Sequence, residues 1–153
     1  MKRGREKMIM KYYIAYGSNM DLDQMKCRCP DAILIGTSQL HGYELLFKGS
    51  QTGAYATIEP KAGEIVPVLV WKISEADEKN LDRYEGYPRF YYKKILKVDI
   101  QGSVIDAMVY IMQEERELGK PSHQYYHVLE AAYEKFNFDK NTLIAALIQS
   151  TLQ

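Results

Sequence analysis

Residues 11–20, KYYIAYGSNM, decide how the rest of the chain is read. The first six, Lys11 to Tyr16, are rich in β-formers and stop at Gly17, so they read as a strand running into a loop. A glycine directly after a strand opens backbone conformations closed to other residues. Ser18 and Asn19 add short hydrogen-bonding side chains. Asp21, with Gln24 three residues on, has the form of a capped helix start, and Pro30 ends that short helix. The amides of Tyr16-Gly17-Ser18-Asn19 then lie near a helix N-terminus, where they can hold a carboxylate or a developing oxyanion. The same tetrapeptide also makes an ordinary strand-to-helix turn, and local composition does not separate the two readings.

Working outward, further strands are expected at residues 33–37, 40–48, 54–58, 66–73, 91–100 and 104–112. Gly42 marks a bulge, Pro67 an edge or bulge, and Gln101-Gly102-Ser103 a hairpin turn. Ser74 with Asp77 caps a helix that carries Leu81 and Tyr84 on one face and ends at Gly86. Ser122 caps another, with Tyr125, Val128, Leu129, Ala132, Tyr133 and Phe136 at helical spacing. A last apolar helix over 142–152 is introduced by Asp139 or Asn141. Six or seven strands with interrupting and terminal helices give an α+β class, a small mixed β-barrel with flanking helices.

The 153 residues suit one domain, expected over 12–153, behind a basic and flexible segment at 1–11. Hydrophobic residues at 46% and charged residues at 26% place the chain among soluble globular proteins. Twenty basic residues balance twenty acidic ones, which argues against a nucleic-acid partner. No apolar run reaches membrane-spanning length and no secretory signal is present. Cys27 and Cys29 are too close in sequence for ordinary disulfide geometry and have no cluster to complete a zinc site. Two reduced thiols in a cytoplasmic protein, with no metal and no cofactor, is the expectation. His123 and His127 lie four apart on a helix but lack a third ligand nearby. Thirteen tyrosines against four phenylalanines suit half-buried positions, either structural edges or a polar aromatic pocket.

The second informative stretch is LDRYEGYPRFYYKK, residues 81–94. Glu85 falls in the last turn of a helix, where the macrodipole disfavours a carboxylate. Aromatic residues surround it in sequence at Tyr84, Tyr87, Phe90, Tyr91 and Tyr92. Enclosure by those rings would raise its pKa into the range of a general base. The other reading is an exposed glutamate, or one paired with Arg89, Lys93 or Lys94.

Together these segments resemble the γ-glutamylcyclotransferase-like family, in its AIG2-like and butirosin-type forms. The resemblance runs from about Tyr12 to Phe136 and rests on YIAYGSNM, GAYATIEP, VPVLVWKI, LDRYEGYPRFYYKK, VYIM and PSHQYYHVLEAAYE in that order. It implies an acyltransferase or lyase chemistry that forms 5-oxoproline from a γ-glutamyl compound. By position, Tyr16, Gly17, Ser18 and Asn19 would cradle the substrate and Glu85 would be the catalytic acid/base. Tyr92 and Tyr125 would contact the substrate. A small-molecule γ-glutamyl substrate is then the partner, in a monomer or homodimer. Lys94 stands where family members often carry arginine, and the loop at 49–53 is short. The leaving group is open among amino acids, amines and carrier-bound or antibiotic-like groups. The competing reading is a non-catalytic small-molecule binding module of the same fold.

Overall fold

The computed structural model describes residues 9–152. Its strands are β1 (Met10–Ala15), β2 (Ile33–Lys48), β3 (Tyr55–Ser74), β4 (Tyr91–Ile100) and β5 (Ser103–Met112). Its helices are α1 (Leu22–Arg28), α2 (Glu75–Glu85), α3 (His123–Lys135) and α4 (Lys140–Gln149). The class is α+β, as expected, but the sheet has five strands in the order β2-β3-β1-β5-β4. The expected pairs of short strands at 33–37 and 40–48, and at 54–58 and 66–73, are each one long bulged strand. β2 and β3 pair antiparallel along their length, with register shifts at Leu34/Gly36 and His41/Tyr43. Gly42 takes a φ of +82° at the second shift, and residues 61–64 of β3 fall between the paired Pro60 and Ile65. Charged and glycine residues there read as a break in sequence, yet a long partner strand carries the pairing across them.

The sheet curls without closing. Ser38 Oγ on edge strand β2 donates to the carbonyl of Asp99 on edge strand β4, but no ladder joins the two edges among the described residues. The expected barrel is therefore an open, strongly curved mixed sheet. Among the described residues β1 supplies its one parallel pairing, with β5. β1 begins at Met10, ahead of the expected boundary at residue 12, because β3 extends to Ser74 and offers Met10 and Lys11 partners. The rest of the expected flexible segment, residues 1–8, lies outside the described residues.

Register explains how two segments far apart in sequence meet. Met10 pairs with Ser74 and Ala15 with Leu69, so β3 ends beside the start of β1. α2 begins there and climbs about 16 Å, the length of its eleven residues. β1 covers about the same distance. The C-terminus of α2 thus arrives beside the loop after β1. Ser18 Oγ and Tyr84 Oη, 3.1 Å apart, record that meeting.

The start of α2 is fixed by the expected capping box. Ser74 Oγ accepts from Asp77 N at 3.1 Å, and Asp77 Oδ2 accepts from Ser74 N at 3.2 Å. Ser74 Oγ also donates to Asp31 Oδ2 at 2.7 Å, tying the loop after α1 to this helix. Asp77 is fully buried. Ser74→Ala removes one cap and one buried partner, and should cost about 1–2 kcal/mol of stability. A lowered urea midpoint with unchanged slope is the expected reading. Asp21, Ser122 and Asp139 cap α1, α3 and α4 as the sequence suggested.

Candidate active site

A cavity of about 250 Å³ opens where the loop after β1 meets the end of α2. Tyr16, Gly17, Ser18 and Asn19 line it, as do Glu85 on α2 and Tyr125 in the first turn of α3. The structure therefore gathers six of the seven residues singled out from the sequence.

Ser18–Met20 form a single 3-10 turn before α1, and no side chain caps it. Met20 N and Asp21 N bond to Gly17 O and Ser18 O, each at 3.0 Å. The N–H groups of Gly17, Ser18 and Asn19 have no acceptor among the described residues. These unpaired donors at a helix entry suit an anionic group. Gly17 permits close approach: a Cβ here would lie 3.1 Å from the Tyr125 hydroxyl, which would have to give by a few tenths of an ångström. That hydroxyl accepts from Ala56 N at 3.0 Å, which ties α3 to β3 at the cavity wall.

Arg28 stiffens the loop from behind. Its Nη1 donates to Asn19 Oδ1 at 2.5 Å and Ser18 Oγ at 3.3 Å, and its Nη2 to Gln24 Oε1 at 2.7 Å. The guanidinium stacks 3.6 Å from the centre of the Tyr84 ring. Asn19 Nδ2 donates to Tyr13 Oη at 2.8 Å, and Trp71 Nε1 to the Asn19 carbonyl at 3.2 Å. Every polar group of the Asn19 side chain is thus occupied in holding the turn.

Glu85 is the last residue of α2, and Gly86 then turns the chain in the left-handed conformation, φ +67°. Its carboxylate has no hydrogen bond or ion pair among the described residues. It is partly exposed because it borders the open cavity, but protein surrounds its other sides. Burial raises it from the ordinary carboxylate range to about 7, and the Arg28 guanidinium acts in the opposite direction. Burial, and then the charge of Glu85, hold the phenols of Tyr13 and Tyr16 well above their ordinary pKa. Tyr91 and Tyr125 are raised too, burial again being the main cause. These phenols stay neutral, so each can donate a hydrogen bond at any physiological pH. Tyr16 and Tyr91 donate to the carbonyls of Tyr110 and Ala56, at 2.6 and 2.8 Å.

Tyr92 is the exception among the expected site residues. Side chains alternate along β4, so Tyr91 faces the cavity and Tyr92 the opposite side, where its hydroxyl bonds to the Glu114 carboxylate. The aromatic residue of that pair at the cavity is Tyr91. Lys94 is also turned outward and exposed. Its neighbour Lys93 meets Glu78 at 2.6 Å and Asp82 at 3.0 Å, pinning α2 to β4. Sequence reasoning also passed over Tyr13, Tyr110, Arg28 and Arg83. Only Arg28 left a signal, the spacing of four from Gln24 that puts both on one face of α1.

Cys27 is exposed and Cys29 buried, both as free thiols. Among the described residues no helix is long and apolar enough to cross a membrane.

Comparison with known proteins gives a consistent result. The family profile described as gamma-glutamyl cyclotransferase, AIG2-like, matches residues 13–133. The chain is 34% identical over 126 residues to human gamma-glutamylcyclotransferase, with 76% of this chain and 66% of the human protein covered. The bovine gamma-glutamylcyclotransferase is 32% identical over the same shares of each chain. The match thus spans just under two thirds of these relatives' length, 66%. A solved structure described as a gamma-glutamyl cyclotransferase superposes with a TM-score of 0.80 at 26% identity, covering 90% of this chain and 86% of that one.

Proposed function

Because this chain belongs to the gamma-glutamyl cyclotransferase, AIG2-like family, we propose that it releases 5-oxoproline from a γ-glutamyl amide, with Glu85 as the acid/base. The observation that carries this reading is an unpaired carboxylate, raised to about 7, in one cavity with the unpaired amides of Gly17, Ser18 and Asn19.

The nucleophile belongs to the substrate. Its α-nitrogen attacks its own γ-carbonyl carbon, the C–N bond to the departing amine breaks, and a five-membered lactam remains. The α-nitrogen starts as ammonium, with a pKa of roughly 8 or above. A base near 7 takes its proton at a cost of about 1–2 kcal/mol, whereas an ordinary carboxylate would face about 5. Over the cycle the α-nitrogen gives up two protons and the departing nitrogen gains two, leaving as ammonium. Glu85 relays them and ends as it began. The loop amides meet the oxyanion formed between attack and departure. No serine or cysteine nucleophile is called for.

A panel of γ-glutamyl dipeptides and amides tests this reading. The expected products are 5-oxoproline and free amine in equal amounts. The same substrates acetylated on the α-nitrogen should stay intact, since the nucleophile is blocked. Release of glutamate, or cleavage of the acetylated compounds, would indicate a hydrolase instead. Tight binding without product would favour the binding-module reading.

A further inference from the structure

The leaving-group end of the cavity carries its own chemistry. Its floor is made of buried residues such as Tyr16, Asn19 and Tyr91, while its rim is open. Two of the rim's rings stand well into solvent: Tyr55 is 46% exposed and Tyr84 45%. Phe90 meets Tyr55 edge to face at 6.3 Å, forming an apolar corner at the mouth. Tyr55 is the exposed ring of that corner, while Phe90 is half-buried with the Arg116 guanidinium 4.0 Å from its centre. An apolar group laid across Tyr55 would cover ring surface now in water.

Only two charged side chains line the cavity, among the described residues: Glu85 and Arg83. They leave α2 two residues apart and so do not face one another. Arg83 is exposed, and its Nη2 donates to Asn80 Oδ1 at 2.5 Å. Its other N–H groups have no protein partner among the described residues, so part of the fork is free for a carboxylate. The charges then sort by position. Glu85 takes the substrate ammonium and the loop amides meet the oxyanion that develops on the γ-carbonyl. A carboxylate on the departing group would meet Arg83. A cationic departing group would be repelled there.

We propose that Arg83, Tyr55 and Phe90 form a leaving-group subsite that selects γ-glutamyl derivatives of α-amino acids with aromatic or bulky apolar side chains. The inference rests on the cyclotransferase reading for which end of the substrate lies outermost. Arg83 binds the carboxylate of the departing amino acid, and the Tyr55–Phe90 corner holds its side chain. Neutral amines lose the first contact, glycine-like residues lose the second, and polyamines meet repulsion.

The test compares γ-glutamyl-phenylalanine with its C-terminal amide, which lacks only the carboxylate. Wild type should favour the acid by roughly tenfold in kcat/KM, the usual size of one charge-assisted hydrogen bond. In Arg83→Gln that ratio should collapse towards one. Arg89→Gln, an exposed arginine that does not line the cavity, should keep the wild-type ratio. Tyr55→Ala should lower the preference for γ-glutamyl-phenylalanine over γ-glutamyl-glycine by a similar factor. The same ratios read as Kd by calorimetry on Glu85→Gln protein do not need turnover. Equal affinity for acid and amide in that protein, or a ratio that Arg83→Gln leaves unchanged, overturns the subsite. Selective binding of the acid without 5-oxoproline release in wild type would overturn the catalytic reading and leave the subsite standing.

Discussion

Glu85→Gln is expected to lose 5-oxoproline release and to gain stability. The activity loss should be about 10²–10⁴-fold, the usual contribution of a positioned acid/base. Gln keeps the shape of the side chain and removes only its ability to exchange a proton. The stability gain follows from linkage. The carboxyl ionises at about 7 in the fold, against roughly 4.3 in an unfolded chain. Between those values the native state holds a proton that the unfolded state has lost, so stability falls as pH rises through the window. Above 7 the penalty is fully present, at most about 4 kcal/mol, and solvent entering the cavity reduces it. Gln carries no such penalty. Urea melts at pH 5 and pH 8 should therefore diverge for wild type and stay close for the variant. An active variant would sink the assignment of the base. Equal pH dependence in the two proteins would mean that the carboxylate is not desolvated.

This pairing of inactivity with added stability is informative because the cost of a desolvated carboxylate has no structural return. Glu85 makes no ion pair and no hydrogen bond among the described residues. Lys48, a buried residue, contrasts with it: its ammonium meets Glu59 at 2.6 Å and the Glu114 carbonyl at 2.8 Å. A buried charge is ordinarily satisfied in that way. One that is not satisfied, in a cavity, fits a group awaiting a partner from solution.

The sequence carried the chain's local punctuation well. Caps at Asp21, Ser74, Ser122 and Asp139 and the stop at Gly86 depend on side chains next to the backbone they bind, so they are readable one residue at a time. Long-range pairing was less legible. β2 and β3 each looked like two strands because polar Ser38 and Gln39 in the first, and Gly63 with the charges around it in the second, interrupt the local pattern, and only the partner strand restores continuity. The candidate site was half visible for the same reason. The loop after β1 and Glu85 stood out by motif, but the choice between Tyr91 and Tyr92 turns on which face of β4 is inward. That parity is fixed by pairing with β5, where Tyr91 faces Met112 across the ladder. Arg28 and Arg83 gained their meaning only when α2 was laid back along β1.

Arg28 is where the electrostatics and the rigidity of the site are joined, and two substitutions should separate them. It acts as a positioning residue, through Asn19, Ser18 and Tyr84. Its charge favours the ionised form of Glu85 and opposes the effect of burial. Arg28→Met removes that attraction, so the Glu85 pKa should move above about 7. A base must be ionised before it can accept a proton, so the acid limb of the kcat/KM profile should shift to higher pH. The variant also frees Asn19 Oδ1 and the Tyr84 ring, and a loosened turn should lower kcat by about tenfold to a hundredfold at its own optimum. Arg28→Lys keeps a positive charge but cannot span Asn19 and Gln24 with one planar fork. Its acid limb should stay near that of wild type while kcat falls. A merely structural arginine would lower the amount of folded protein and leave the limb where it was. An unmoved limb in Arg28→Met, measured on folded protein, would therefore exclude the electrostatic role. Equal kcat in wild type and Arg28→Lys would exclude the positioning one.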